Sequence, residues 1–142
     1  MMKKLLLAMM MLVCSAVGMM GQNVEADKLI GTYLTEGGKG KVMIEKTGAT
    51  YSGKLAWSVT KGALDKNNPN KANRSKPLVG KVILSGFKYA GKGVWDGGKI
   101  YDPENGKTYS CKITLKKNGD ITVRGFIGFS LLGRNTTWKR VR

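Results

Sequence analysis

Beyond residue 28 the chain runs in short segments where apolar and polar side chains alternate, separated by clusters of glycine, asparagine and lysine. A period of two places successive side chains on opposite faces of a strand, and no segment has a convincing helical period. The pattern predicts strands over 29–34, 41–46, 51–58, 80–87, 91–96, 99–101, 108–116, 120–126 and 136–141. About eight or nine short strands at this spacing suit a sandwich or a closed barrel. The faces can be assigned as well. Tyr109, Cys111, Ile113 and Leu115 share one side of a strand whose other side is Ser110, Lys112, Thr114 and Lys116. Leu55 and Trp57 likewise oppose Lys54, Ala56 and Ser58, and Val42 and Ile44 oppose Lys41, Met43 and Glu45.

The breaks between segments carry turn chemistry. Lys117-Asn118-Gly119-Asp120 sets Asn-Gly between two alternating runs, the strongest short hairpin signal, and Asp96-Gly97-Gly98 and Glu104-Asn105-Gly106 have the same form. Hairpins in series make an up-and-down meander, and closing it removes the exposed strand edges. The expected fold is therefore all-β: a single antiparallel up-and-down β-barrel of about eight or nine strands. One connection is long. Residues 60–79 contain two prolines, four asparagines and Lys61, Lys66, Lys71, Arg74 and Lys76, with no apolar period. Loops of that length in compact domains tend to be functional or mobile, so this one is either a lid over a barrel mouth or a solvated excursion.

The N-terminus differs from the rest. Lys3 and Lys4 precede an apolar run over 5–17 that ends in small residues, the anatomy of a cleavable signal peptide. The run is shorter than the roughly 20 residues that span a bilayer. Residues 1–21 are expected to be removed, with the mature start between Met19 and Asp27, leaving 22–142 as one barrel domain exported to the periplasm or envelope of a bacterium. Cys14 departs with the leader, so Cys111 has no internal disulfide partner, and stability must come from packing.

Charge narrows the partners. Lys and Arg number 25 against 9 Asp and Glu, a formal net charge of +16. Such an excess attracts anions at long range, although it also serves solubility alone. Export removes nucleic acid from consideration and leaves anionic lipid, lipopolysaccharide, polysaccharide or acidic protein.

Catalytic chemistry is thin. The chain has no histidine, which removes the usual general base, histidine-dependent triads and most zinc sites. Cys111 shares its face with Tyr109 and Ile113, where burial raises a thiol pKa and lowers its reactivity. Asp96, Asp102 and Glu104 could pair as glycosidase carboxyls, but tight turns account for them more simply. Asp65, Asn67 and Asn68 offer oxygen to a cation with too few acids and no matching loop spacing. The expectation is a protein that is not an enzyme and uses neither cofactor nor metal.

Trp57, Trp95, Tyr101, Tyr109 and Trp138 fall on different strands and either fill the barrel or line a pocket. Arg124 alternates against Val123, and its direction stays open at this level. The candidate ligand-binding residues are Trp57, Trp95, Tyr101, Arg124 and Trp138, with Lys66, Arg74 and Lys76 from the long loop. The most apolar stretch, 126–133, is either a buried strand end or an apolar lip for a membrane or an acyl chain.

Three segments carry a family resemblance: Asp65-Lys66-Asn67-Asn68-Pro69, the run from Gly93-Val94-Trp95-Asp96-Gly97-Gly98 to Gly106-Lys107-Thr108-Tyr109, and the run from Val123-Arg124-Gly125-Phe126 to Thr136-Thr137-Trp138. The chain resembles the bacterial envelope family called domain of unknown function 2147. The resemblance implies an exported protein with a lipocalin-like barrel and no established activity. Members usually begin with Gly-x-Trp, where this chain has Gly31-Thr32-Tyr33. In lipocalin-like barrels that aromatic often stacks on an arginine of the closing strand, here Arg134 or Arg140, a structural cation–π contact of about 0.5 to 2 kcal/mol.

Together these readings point to an exported, monomeric, non-enzymatic binding protein for a hydrophobic or amphipathic, anionic ligand such as a lipid, with peripheral membrane contact and no nucleic acid. The alternative is an envelope surface-interaction protein whose solid barrel docks on lipopolysaccharide or an acidic partner.

Overall fold

The computed structural model describes residues 24–126 and 133–141. The expected leader over 1–21, with Cys14, and most of the apolar stretch at 126–133 lie outside the described residues. Eight strands follow in order: β1 (Gly31–Leu34), β2 (Gly40–Thr47), β3 (Thr50–Ser58), β4 (Val82–Gly91), β5 (Val94–Asp102), β6 (Lys107–Leu115), β7 (Ile121–Phe126) and β8 (Gly133–Val141). Each pairs antiparallel with the next, and β8 returns to β1 through Thr32↔Val141 to Leu34↔Lys139, closing the barrel.

Several pairings depart from simple alternation, β3 with β4 among them, and two of the departures bear on the expected elements. The expected strands over 91–96 and 99–101 are one strand, β5, and Asp96-Gly97-Gly98 is a bulge rather than a hairpin turn. Its register passes from Trp95↔Ile113 to Gly98↔Cys111, with Gly97 at φ 72°. The ring of Phe87 lies against the bend, where a Cβ on Gly98 would come within 2.4 Å of it. The true hairpin turn is at Lys92 (φ 54°) and Gly93 (φ 71°), which supply the two positive φ angles a tight hairpin requires. The second departure is in β3. Its register with β2 slips between Lys41↔Trp57 and Val42↔Leu55, so one extra residue, Ala56, reverses the phase. Leu55 stays inside while Trp57, expected on the same face, turns outward and is 42% exposed.

The strands run between two unlike ends. At one end the turns are short, and the segment before β1 folds beneath the barrel as a 3-10 turn, Asp27–Leu29. Ala26 and Leu29 join Tyr33, Ile44, Phe87, Trp95, Ile113 and Ile121 in a continuous core. The polar atoms buried there are paired. Trp95 Nε1 donates to the Ala26 carbonyl at 3.1 Å, and Tyr33 Oη donates to the Leu29 carbonyl at 2.8 Å. Of the two arginines open to the stacking role, Arg140 fills it, 4.9 Å from the Tyr33 ring. Its guanidinium donates to the carbonyls of Gly119, Ile30 and Lys28 and to Tyr33 Oη, at 2.9, 3.1, 2.7 and 2.6 Å. Burial pushes the Tyr33 hydroxyl up to about 12, against the pull of Arg140, so it keeps its proton.

Candidate functional site

The other end is hollow. Layers near the closed end carry Tyr33, Phe87 and Trp95, whereas Gly40, Ser58, Gly125 and Thr136 line the mouth, and these small residues leave a cavity of about 760 Å3. Leu55, Ile83, Ile100, Val123 and Trp138 line its apolar part, together with Tyr109 and Leu78. Its charged lining comes from Glu36, Lys39, Lys66, Asp102, Glu104 and Arg134.

The charges are not equivalent. Glu36 Oε1 accepts from the Thr137 amide at 3.3 Å, Asp102 Oδ1 accepts from the Glu104 amide at 2.9 Å, and Glu104 pairs with Lys39 at 3.1 Å. Each acid therefore has a protein partner. Lys66 and Arg134 form no ion pair among the described residues. Asp96, likewise, accepts from the amide of Gly97 at 2.8 Å. The carboxylates of Asp96 and Asp102 thus hold local backbone, and that of Glu104 meets a lysine.

The long basic connection, 59–81, is a strap beside the mouth, tied down by its own hydrogen bonds. Asp65 is 1% exposed, and its carboxylate accepts from Tyr101 Oη at 2.5 Å, Asn68 Nδ2 at 2.7 Å and Lys81 Nζ at 3.0 Å. The Lys81 ammonium stands 4.6 Å from the centre of the Tyr101 ring. Burial raises the Asp65 pKa, but these donors and the charge of Lys81 together outweigh it and hold the carboxyl below its ordinary value. Burial and the Asp65 carboxylate push the Tyr101 hydroxyl up to about 12. Asn67 Nδ2 donates to the carbonyls of Pro103 and Glu104, each at 3.0 Å. The Asn67 carbonyl lies over Gly106, where a Cβ would be 1.8 Å away, so only glycine fits under the strap. Asp65, Asn67 and Asn68 spend their polar atoms holding the strap, not arranged for a cation.

The eight sequence candidates separate accordingly. Tyr101, Trp138 and Lys66 line the cavity. Trp95 is fully buried in the closed-end core, where its indole serves the plug. Trp57 lies on the outer wall under Lys41 Nζ, 5.2 Å from its ring centre. Arg124 faces outward, because Val123 and Gly125 on either side take the inward positions. It donates to Asn135 Oδ1 at 2.9 Å and covers the Phe126 ring. Arg74 donates to the Asn68 carbonyl at 2.7 Å and so braces the strap. Lys76 lends the strap its carbonyl, to the Asp65 amide, and its side chain does not line the cavity. Lys39, Ile83, Ile100 and Arg134 were not among the candidates. Ile100 was accessible in principle, since it alternates with Lys99 and Tyr101, but Arg134 needed the barrel to close before its place at the mouth could be seen.

Cys111 sits inward at the waist of the barrel, 2% exposed, and burial pushes its thiol up to about 12. Among the described residues, no group of three or more His, Cys, Asp or Glu is placed to hold a metal ion.

Comparison with known proteins agrees with this architecture. In structure the chain is similar to protein HP1028 from the human pathogen Helicobacter pylori, described as belonging to the lipocalin family. The TM-score is 0.74 and the identity 30%, over 80% of this chain and 83% of that one. No curated protein matches the chain. The family model of an uncharacterized protein conserved in bacteria, DUF2147, matches residues 31–140, from the first residue of β1 to the arginine that seals the closed end. The chain belongs to the DUF2147 family.

Proposed function

We propose that this protein is an exported, non-enzymatic carrier that takes a small hydrophobic or amphipathic molecule through its mouth, with an anionic head group between Lys66 and Arg134. The observation that carries the reading is the hollow half of the barrel. Its volume of about 760 Å3 falls within the roughly 300 to 1,000 Å3 of small-molecule sites, and its apolar side chains with a few polar groups at the rim match their usual make-up. The lipocalin-like fold supports binding in general, and two cations without an ion pair among the described residues, set against three acids already engaged, favour a negative head group. The hollow mouth half favours this reading over the alternative, which calls for a solid interior.

Gly125 gives the direct test. A Cβ there would meet Ile100 and Tyr109 at 3.8 and 3.9 Å, ordinary contact distances, and Gly125 lines the cavity, so a larger side chain should take up part of its volume. Lipids extracted from natively purified protein and identified by mass spectrometry should include a bound amphiphile. Gly125→Leu should come without it and take up an anionic fluorescent fatty-acid probe at least about tenfold more weakly, a loss of 1.4 kcal/mol. If wild type and variant bind the probe equally, or neither binds anything, the carrier reading fails. Export has its own check: the N-terminus of protein recovered from the periplasm should lie between residues 19 and 27.

A further inference from the structure

The outer wall beside the mouth carries an apolar feature centred on Trp57, Val79 and Val82, none of which lines the cavity. Eight large apolar side chains stand exposed among the described residues, and five of them lie here: Trp57 at 42%, Val79 at 47% and Val82 at 55% on the wall itself, with Val59 at 60% and Leu64 at 46% at its border with the cavity mouth, which they also line. The others, Val24, Ile30 and Val141, belong to the closed end. Pairing brings the five together. Val82 lies opposite Lys54, the Gly80 amide donates to the Leu55 carbonyl, and Leu64 is bridged to Pro77, so the end of β3 runs beside both ends of the strap. Exposed apolar residues scattered singly need no explanation, but a cluster rimmed by charge marks an interaction surface.

The charge around it is predominantly positive, with Glu45 an acid partner of Lys54 at 3.9 Å. Between residues 54 and 81 the cations are Lys54, Lys61, Lys66, Lys71, Arg74, Lys76 and Lys81, and the one acid, Asp65, is buried and already paired with Lys81. Lys41 adds its ammonium above the Trp57 ring. Beside Val82 a recess of about 220 Å3 is lined by Lys81, Lys99, Ser85 and Thr108 with Tyr101, so ammonium and hydroxyl groups converge on the same wall. Apolar side chains including an indole, ringed by lysine and next to a polar recess that suits a phosphate, match the interface of an anionic bilayer. There tryptophan settles at head-group depth and lysine meets lipid phosphate.

We propose that this face docks on the surface of an anionic phospholipid bilayer, with Trp57, Val79 and Val82 entering the head-group layer and the strap lysines facing phosphate, which sets the barrel mouth beside the membrane. The proposal is independent of what the cavity holds. A protein partner fits less well, because tight protein interfaces are anchored in desolvated apolar pockets and the recess here is polar.

Co-sedimentation with vesicles tests it. All variants share one preparation, so any contribution of the N-terminal segment is common to them. Wild-type protein should pellet with phosphatidylglycerol-containing vesicles and stay in the supernatant with pure phosphatidylcholine. Replacing Trp57, Val79 and Val82 together by serine should lower partitioning at least about tenfold with the melting temperature unchanged, as expected for buried apolar area at an interface. Lys61→Gln and Lys71→Gln should each cost roughly fivefold. Gly125→Leu should bind vesicles as wild type does, which separates this surface from the cavity. Brominated acyl chains should quench tryptophan emission in wild type, and Trp57→Phe should remove that quenching, since Trp95 and Trp138 are buried. Failure to bind the anionic vesicles overturns the proposal. So does a serine variant that binds as wild type, because charge alone would then account for adsorption, or an acidic polypeptide that holds the protein more tightly than the vesicles do.

Discussion

The two ends of this barrel are made from the same eight strands and do opposite things with them. At the closed end, inward positions hold Tyr33, Phe87 and Trp95, and among the described residues each buried side-chain nitrogen or oxygen has a hydrogen-bond partner. At the mouth, inward positions hold Gly40, Ser58, Gly125 and Thr136, and the space they leave is bounded by a strap attached through polar contacts. The difference lies in side-chain volume at equivalent strand positions, with no change in topology. It teaches that dense packing and an open cavity can be assigned to separate halves of one small barrel.

The sharpest way to break that division is at the plug. Trp95→Ala should cost about 3 to 5 kcal/mol in urea unfolding, because a large buried side chain is lost and the core collapses only partly around the gap. It also leaves the Ala26 carbonyl without its donor. Arg140→Met should be nearly as harmful, since three carbonyls and the Tyr33 hydroxyl lose hydrogen bonds from a charged group, worth about 1.5 to 3 kcal/mol for each well-buried one. Arg134→Met, the other arginine of β8, should leave the midpoint within about 0.5 kcal/mol, as surface changes usually do.

The strap should respond more weakly and more locally. Asp65→Asn removes the charge that meets Lys81 and weakens the bond from Tyr101. Lys81 reaches water, so the cost should stay near 1 to 2 kcal/mol, below the usual figure for a fully buried pair. Hydrogen exchange should show it as faster exchange at the amides of Asp65, Asn68 and Leu78, with closed-end amides unchanged. Acid should act in the same way. The folded pKa of Asp65 lies below its unfolded value of 3.8, so its contribution is complete above that pH and is lost as pH falls through the lower, folded value. The strap should therefore loosen below about pH 4 while the plug holds. Gly106→Ala should open it at neutral pH, because the new Cβ and the Asn67 carbonyl cannot share one place.

These contrasts also explain how much was legible in the sequence. Alternation gave the barrel and the correct face of β6, because β6 pairs with β7 in unbroken register from Ser110↔Phe126 to Leu115↔Ile121. The same logic misplaced Trp57, because one inserted residue in β3 inverts the phase and leaves no mark in composition. It also split β5, because Asp96-Gly97-Gly98 serves a bulge as readily as a turn. At the site, Trp138, Tyr101 and Lys66 were legible as candidates from residue type and position. Arg134 and Lys39 were not, because what brings them to one rim is the closure of β8 on β1, a contact between residues more than a hundred positions apart.

The smallest expected effect sits at the boundary between the halves. Cys111 occupies an inward position on β6 between Tyr109, which lines the cavity, and Ile113, which belongs to the closed-end core. With its pKa raised to about 12, almost none of it is thiolate at neutral pH, and a thiol reagent has no path to it at 2% exposure. Labelling by an aromatic disulfide should therefore proceed no faster than the protein unfolds, and saturating the cavity with an amphiphile should leave that rate changed only as far as binding slows unfolding. Gly125→Leu, directly across the β6–β7 pairing from Cys111, should leave it equally silent. Rapid labelling in folded wild-type protein would mean that the cavity extends past the waist. The division between a solid half and a hollow half would then be one of degree, with the ligand reaching toward the plug that Trp95 and Arg140 hold shut.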